Sequence, residues 1–246
     1  MQDQPAYEFE PRIPPNLSIV AFGDVHGCLD KLDPLLERIE ERAAAFPEKR
    51  HLVVSIGDLI DRGPDSAGVV ERLIRGVPGC RTVVLRGNHE AMMLDFIRGG
   101  PDSENWLRNG GLDTIMSYGV DLEQILADRS GLPGLRRAFL QNIPAHHLTF
   151  VRETPLRFEC GDYFFVHAGV NPRRSLDRQH EDDLLWIRDE FLEWEQPFAK
   201  KIVHGHTPVE VPTFRHNRIN LDTGACFGGP LTAVLIEGTE VVLFLP

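Results

Sequence analysis

The sequence predicts an α/β fold, and three observations carry that reading. Short apolar runs alternate with helix-spaced segments over the first third of the chain. The last third is a series of short apolar runs parted by turn residues. The early runs each end at a glycine, beside Asp, Asn or His. The first pattern is that of βαβ units with parallel strands, and the last is that of hairpins. The expectation is a parallel beginning and an antiparallel end.

Leu17–Phe22 is an apolar run that stops at Gly23. Leu29–Phe46 has helical spacing, with Leu32, Leu35, Leu36 and Ile39 on one face and Pro47 as the stop. Leu52–Ile56 ends at Gly57, Ser66–Val77 reads as a helix halted by Pro78-Gly79, and Thr82–Leu85 ends at Arg86-Gly87. From about Glu90 to Ala145 the spacing is helical but interrupted by Gly99-Gly100-Pro101, Gly110-Gly111 and Gly131–Gly134, which predicts several short helices. Leu156–Cys160 and Tyr163–Val166 flank Gly161-Asp162 and predict a hairpin. Asp182–Glu193 is expected to be one helix. Lys201–Val203, Arg218–Leu221, Leu231–Ile236 and Val241–Leu245 are the expected closing strands, with Gly238-Thr239 turning the last pair. Residues 1–16, rich in Pro, Gln and acidic side chains, are expected to form a flexible or loosely docked leader.

A chain of 246 residues can bury the core of one large domain. A formal net charge of −11 argues against a nucleic-acid or anionic-membrane partner. No basic stretch leads an apolar one at the N-terminus, and no apolar run approaches the roughly 18 residues of a membrane span, so a cytoplasmic protein is expected. Cys28, Cys80, Cys160 and Cys226 lie far apart with no CxxC pair and are expected to be reduced thiols.

Ligands of open α/β sheets collect beyond the carboxyl ends of the strands. There the chain carries Gly23-Asp24-Val25-His26-Gly27, Gly57-Asp58-Leu59-Ile60-Asp61-Arg62-Gly63, Arg86-Gly87-Asn88-His89-Glu90, His167-Ala168-Gly169 and His204-Gly205-His206-Thr207. Any one of these alone reads as an ordinary turn. Five in order, each offering carboxylate, amide or imidazole, point to a metal site for Mn, Fe, Zn or similar ions. Asp24 and His26, two apart in an extended segment, project to one side and can share an ion. Asp58 can bridge two ions, and Asn88, His167 and His206 complete a second site. Two ions roughly 3.5–4 Å apart can clamp a phosphoryl group and activate water.

These motifs resemble the phosphoprotein phosphatase branch of the calcineurin-like metallophosphoesterases, and most of all microbial members such as the phage lambda phosphatase and bacterial Ser/Thr protein phosphatases. GDVHG, GDLIDRG and LRGNHE match with almost no departure, and the likeness runs through VHAG, HGHT and Asp222-Thr223-Gly224-Ala225. The resemblance implies an αββα sandwich with a helical insertion at about 90–145, formed as one domain over 17–246. It implies two divalent metal ions, with Mn2+ expected: Asp24, His26 and Asp58 on one, and Asp58, Asn88, His167 and His206 on the other. His89 would be the general acid and Asp61 would orient it, the carboxylate favouring the protonated imidazole. Arg62, Asn88 and Arg188 would contact the substrate phosphate. Water activated by the metals would attack phosphorus directly, with no phosphoenzyme.

The resemblance leaves His204 structural rather than ligating. His51, His146, His147, His180 and His216 lie outside the motifs and are read as surface or core residues. Met92, Met93, Trp106 and Trp194 are expected to be packing, Arg173-Arg174 a solvated turn, and Cys226 a buried loop thiol. The tyrosine-bearing SAPNY segment of eukaryotic members has no counterpart, and no regulatory subunit is implied. The implied substrate is a phosphoprotein (Ser/Thr, also Tyr) or a small phosphoester. The alternative is a symmetrical diadenosine tetraphosphate hydrolase, against which Asp61, Arg86 and Glu90 speak. An alternative of another class, an inactive phosphoprotein-binding module, is opposed by the full set of ligand and acid residues.

Overall fold

A computed structural model describes residues 10–244 and shows two five-stranded sheets packed face to face between helices. In the first third β1 (Leu17–Phe22), β2 (Arg50–Ser55) and β3 (Cys80–Val84) are parallel, joined through α1 (Leu29–Ala45) and α2 (Ser66–Arg75). Asp65 caps α2 by accepting the Gly68 N–H at 2.7 Å, and Gly76 at φ 67° ends it.

The expected helical segment is α3 (Asn88–Arg98), α4 (Ser103–Trp106), α5 (Leu112–Ser117), α6 (Leu122–Ala127), α7 (Gly131–Asn142) and α8 (Ala145–Glu153), with a wide turn through Asn109-Gly110. The chain then enters the second sheet with the hairpin of β4 (Arg157–Cys160) and β5 (Tyr163–Val166).

The expected helix Asp182–Glu193 is instead two short ones, α9 (Glu181–Trp186) and α10 (Asp189–Leu192). The Ile187 N–H still bonds the Asp183 carbonyl, but Arg188 leaves helical geometry at φ −129°, ψ −104°. The break aims its guanidinium at Thr207.

The expected antiparallel end is also corrected. β6 (Lys201–His204) and β8 (Arg218–Asn220) run parallel to β5, while β7 (Thr213–Phe214), which the sequence did not predict, pairs antiparallel at the edge. The last hairpin, β9 (Ala233–Glu237) and β10 (Glu240–Leu243), returns to the first sheet beside β1. The order is thus β10-β9-β1-β2-β3 in one sheet and β4-β5-β6-β8-β7 in the other. Leu245 of the predicted last strand lies outside the described residues.

Alternation along the strands explains the layers. Ile19 and Ala21 of β1, Val54 of β2, Phe165 of β5, Val203 of β6 and Ile219 of β8 meet between the sheets. Val20, Phe22 and Val53 face the other way, onto Leu32, Leu35 and Leu36 of α1 and Val69 and Val70 of α2. On the far side Phe164, Val166 and Ile202 pack on Leu184 and Phe191 of α9 and α10.

Of the predicted leader, residues 1–9 lie outside the described residues. Ile13 is buried between the sheets, its N–H bonds the Gly238 carbonyl at 3.0 Å, and the Arg12 carbonyl accepts from Asp162. All four cysteines are free; Cys226 is half-buried rather than buried. Among the described residues no helix is long and apolar enough to cross a membrane.

Candidate dinuclear metal centre

In each sheet three adjacent strands are parallel, and their carboxyl ends supply the loops of one site: β1, β2 and β3 from the first sheet, β5, β6 and β8 from the second. Five of the seven described non-glycine residues with positive φ lie in these loops: His26 (46°), Asp58 (50°), Asp61 (75°), Arg62 (67°) and His206 (66°). Such angles persist only where the surroundings over-determine them.

Glu90 does much of that. Its carboxylate accepts the N–H groups of Gly87 (2.8 Å), Asp58 (3.0 Å), Leu59 (2.8 Å) and Ile60 (3.4 Å). It thereby folds the β2 loop over the start of α3. Burial, with Asp58 nearby, raises its pKa to about 8. Close approach also demands glycine. A Cβ on Gly205 would lie 2.0 Å from Asp24 Oδ1.

The structure brings the expected ligand residues together. His26 Nε2, Asp58 and His89 form one group and Asp58, His167 and His206 another, with the ligand atoms of each within 4.8 Å of one another. Asp58 belongs to both. Asn88 Oδ1 lies 2.8 Å from His167 Nε2 and 2.9 Å from His206 Nδ1. Asp24 accepts the His206 N–H at 3.0 Å. Asp222, quoted from the sequence but given no role there, pairs with Asp24 and accepts the Gly224 N–H at 3.0 Å.

The donor set fits cations. His26 Nδ1 is 2.8 Å from the Ile60 carbonyl and His167 Nδ1 3.1 Å from the Ile56 carbonyl. Each Nδ1 therefore donates to backbone, and each Nε2 carries a lone pair toward Asp58, at 3.4 Å in both cases. Burial pushes His167 down to about 3 and His206 to about 2, so both rings are neutral ligands at neutral pH. His206 Nε2 is buried without a hydrogen-bond partner. Asp24 is pushed well above the usual carboxylate range by burial, then by Asp222 and Asp58; burial also raises Asp58. Crowded buried carboxylates facing imidazole lone pairs are the environment a divalent cation relieves.

Beside the cluster, His89 Nδ1 donates to Asp61 Oδ2 at 2.6 Å. Asp61 also accepts from Trp106 Nε1 at 2.8 Å and from the Thr114 hydroxyl at 2.5 Å. Trp106, expected to be packing alone, is thus both core and a donor to this pair. Burial is the largest influence on both partners: it pushes His89 down to about 4, against the pull of Asp58, and raises Asp61 well above the usual range. Desolvation therefore outweighs the expected preference for a protonated imidazole.

Arg62 reaches His26 Nε2 at 2.8 Å and lies under the Phe227 ring, 5.5 Å from its centroid. Arg188, exposed, donates to Thr207 Oγ1 at 3.1 Å, across from Trp186, whose ring stands edge-on to His206 at 6.1 Å. Some residues stay outside the cluster. His204 Nδ1 faces the Gly205 carbonyl at 3.1 Å and its ring packs on Phe191. Arg173 and Arg174 pair with Glu190 and Asp183 on the surface. Arg86 points away, holding Thr154 and the Arg152 carbonyl.

Comparison with known proteins agrees with this geometry. Residues 17–243 match the calcineurin-like phosphoesterase family. Serine/threonine-protein phosphatase 1 of Salmonella typhimurium is 31% identical over 223 residues, covering 87% of this chain and 90% of that protein. An asymmetrical bis(5'-nucleosyl)-tetraphosphatase, PrpE of Anoxybacillus flavithermus, is 28% identical over 246 residues, covering 90% and 91%. A solved structure provisionally described as a diadenosine tetraphosphatase superposes with a TM-score of 0.62 at 24% identity, covering 96% of this chain and 98% of that one. With family, fold and a cluster compatible with two divalent ions in agreement, this chain belongs to the calcineurin-like metallophosphoesterases and is a phosphoester hydrolase.

Proposed function

We propose that the protein is a phosphoprotein phosphatase acting on Ser/Thr phosphomonoesters and also on phosphotyrosine, with Mn2+ as its activating metal. Asp24, His26 and Asp58 would hold one ion, and Asp58, Asn88, His167 and His206 the other. When bound, the two ions would activate a water and withdraw charge from the phosphoryl oxygens. Arg62 and Arg188 present guanidinium groups to the remaining oxygens, a geometry suited to bidentate contact, and Asn88 orients the group between them.

The observation that carries this reading is the Asp61–His89 pair at 2.6 Å, held from behind by Trp106 and Thr114. A serine alkoxide is a poor leaving group and needs a proton as the ester breaks. A nucleoside polyphosphate leaves readily without one. A buried imidazole backed by a fixed carboxylate is built for the first task. The Salmonella relative's name supports the same reading.

A second reading, hydrolysis of a dinucleoside tetraphosphate, is favoured by the PrpE relatives, which are named asymmetrical rather than the symmetrical type that the sequence alone suggested. One assay separates them: Mn-dependent turnover of a phosphoserine peptide against diadenosine tetraphosphate. Faster phosphate release from the peptide is expected. Preference for the dinucleotide would overturn the proposal, and its products would identify the cut, two ADP for symmetrical cleavage and ATP with AMP for asymmetrical.

A further inference from the structure

Three side chains that the phosphoesterase site does not use converge on the outer face of the helical layer. Glu71 stands on α2, and His146 and His147 are neighbours at the start of α8. Glu71 Oε2 lies 3.2 Å from His146 Nε2 and 2.9 Å from His147 Nε2. The three ligand atoms all fall within 4.8 Å of one another, and the two rings meet edge to face at 4.5 Å. The side chains are not equally free: His147 is 5% exposed, Glu71 36% and His146 61%.

From the convergence of two imidazoles and one carboxylate we infer a third cation site, separate from the dinuclear centre, that takes Zn2+ or a similar borderline ion such as Ni2+ or Cu2+. An ion pair needs only one imidazole. Here two rings aim Nε2 at the same carboxylate oxygen, while the other oxygen is engaged by Arg75 at 2.9 Å. The N,N,O set selects first-row ions of this kind over Mg2+ or Ca2+. His147 also has a partner of the type that orients ligating histidines, since the Tyr118 hydroxyl lies 3.0 Å from its Nδ1.

The proton balance follows from these contacts. Without metal each ring donates an Nε2 proton to Glu71. With metal both Nε2 atoms give lone pairs, His147 keeps its proton on Nδ1 and donates it to the Tyr118 oxygen, and any proton carried by imidazolium is released to buffer. The hydrogen bonds from His147 and His146 already hold Glu71 ionised, at a pKa of about 2.

The ion would staple α8 to α2 beside α5. Those helices carry the second layer of the Asp61 pair: Ser66 opens α2 and accepts the Asp61 N–H, and Thr114 of α5 bonds its carboxylate.

The test uses the full chain preloaded with Mn2+, as wild type, His146→Ala and Glu71→Gln. Zn2+ is titrated against a chromogenic chelator, and thermal unfolding is followed in parallel. Zinc exchange at the dinuclear centre is common to all three proteins and cancels. The expected result is one more zinc equivalent in wild type than in either variant. A zinc-dependent rise in Tm of about 5–10 °C at about 100 times Kd should accompany it in wild type only. His146 is mostly exposed, so its replacement leaves the fold intact, and Mn-dependent turnover without zinc should be unchanged. Equal stoichiometry and equal Tm shifts in the three proteins would overturn the inference and leave Glu71 as the partner of two ordinary ion pairs.

Discussion

Replacing Asp61 by Asn isolates the charge behind the proposed acid. The amide oxygen can take the place of Oδ2 and still accept from Trp106 and His89. The amide nitrogen can then donate to Thr114, whose hydroxyl turns to Ser66, 3.0 Å away. The network survives, and the carboxylate that would stabilise an imidazolium at His89 is lost. A hydrogen bond to a charged group is worth about 1.5–3 kcal/mol, which predicts a fall in kcat of about 10–150-fold with little change in KM. The assay compares phosphoserine peptide with p-nitrophenyl phosphate. The loss should be large for the peptide and small for the aryl ester, whose leaving group departs without a proton. Stability should move the other way. Burial raises the Asp61 pKa, so the folded state binds more protons than the unfolded one above the ordinary carboxylate range. Its contribution therefore worsens as pH rises, and the neutral amide removes that penalty: Tm should hold or rise at pH 7. Equal losses on both substrates would refute the acid assignment. A lower Tm with lost activity would mean that the pair is structural.

Three further outcomes are expected. Gly205→Ala sets a methyl group against Asp24, so it should cost about 1–3 kcal/mol in stability and abolish metal-dependent turnover; unfolding and bound-metal analysis would show both. Glu90→Gln leaves an amide N–H facing backbone donors, and a destabilisation of about 1–3 kcal/mol should be visible in urea melts. Glu237 is held down to about 2 because Lys49 and Arg42 outweigh its burial, so its contribution is present above the ordinary carboxylate pKa and lost as pH falls toward the folded value. Glu237→Gln should lower Tm by a few degrees at pH 7, for about 1 kcal/mol allowing for solvent screening, and by almost nothing near pH 2, as scanning calorimetry would show.

The strand ends were legible because their chemistry is local. Gly-Asp, Gly-Asn-His and His-Gly-His each declare a tight turn and a donor within a few residues, and the apolar run before each declares the strand. What stayed hidden depends on distance or on an unmarked bend. Trp106 and Thr114 reach Asp61 from 45 and 53 residues away, within helices whose periodicity spoke only of packing. The available signal was that a buried indole needs a partner for its N–H. The break at Arg188 has neither Gly nor Pro to announce it; it follows from tertiary contact with Thr207. The parallel pairing of β5, β6 and β8 was missed because short, doubly covered strands look alike in either direction.

The site lies across the seam between the two sheets. Asp24, His26, Asp58 and Asn88 come from the first sheet's loops, and His167 and His206 from the second's, more than a hundred residues along the chain. A nascent or half-unfolded chain with one sheet built would own part of the ligand set and none of its enclosure. Catalytic competence is therefore a late event in the life of each molecule, and the last loop to dock, rather than the first motif to be synthesised, decides when it begins.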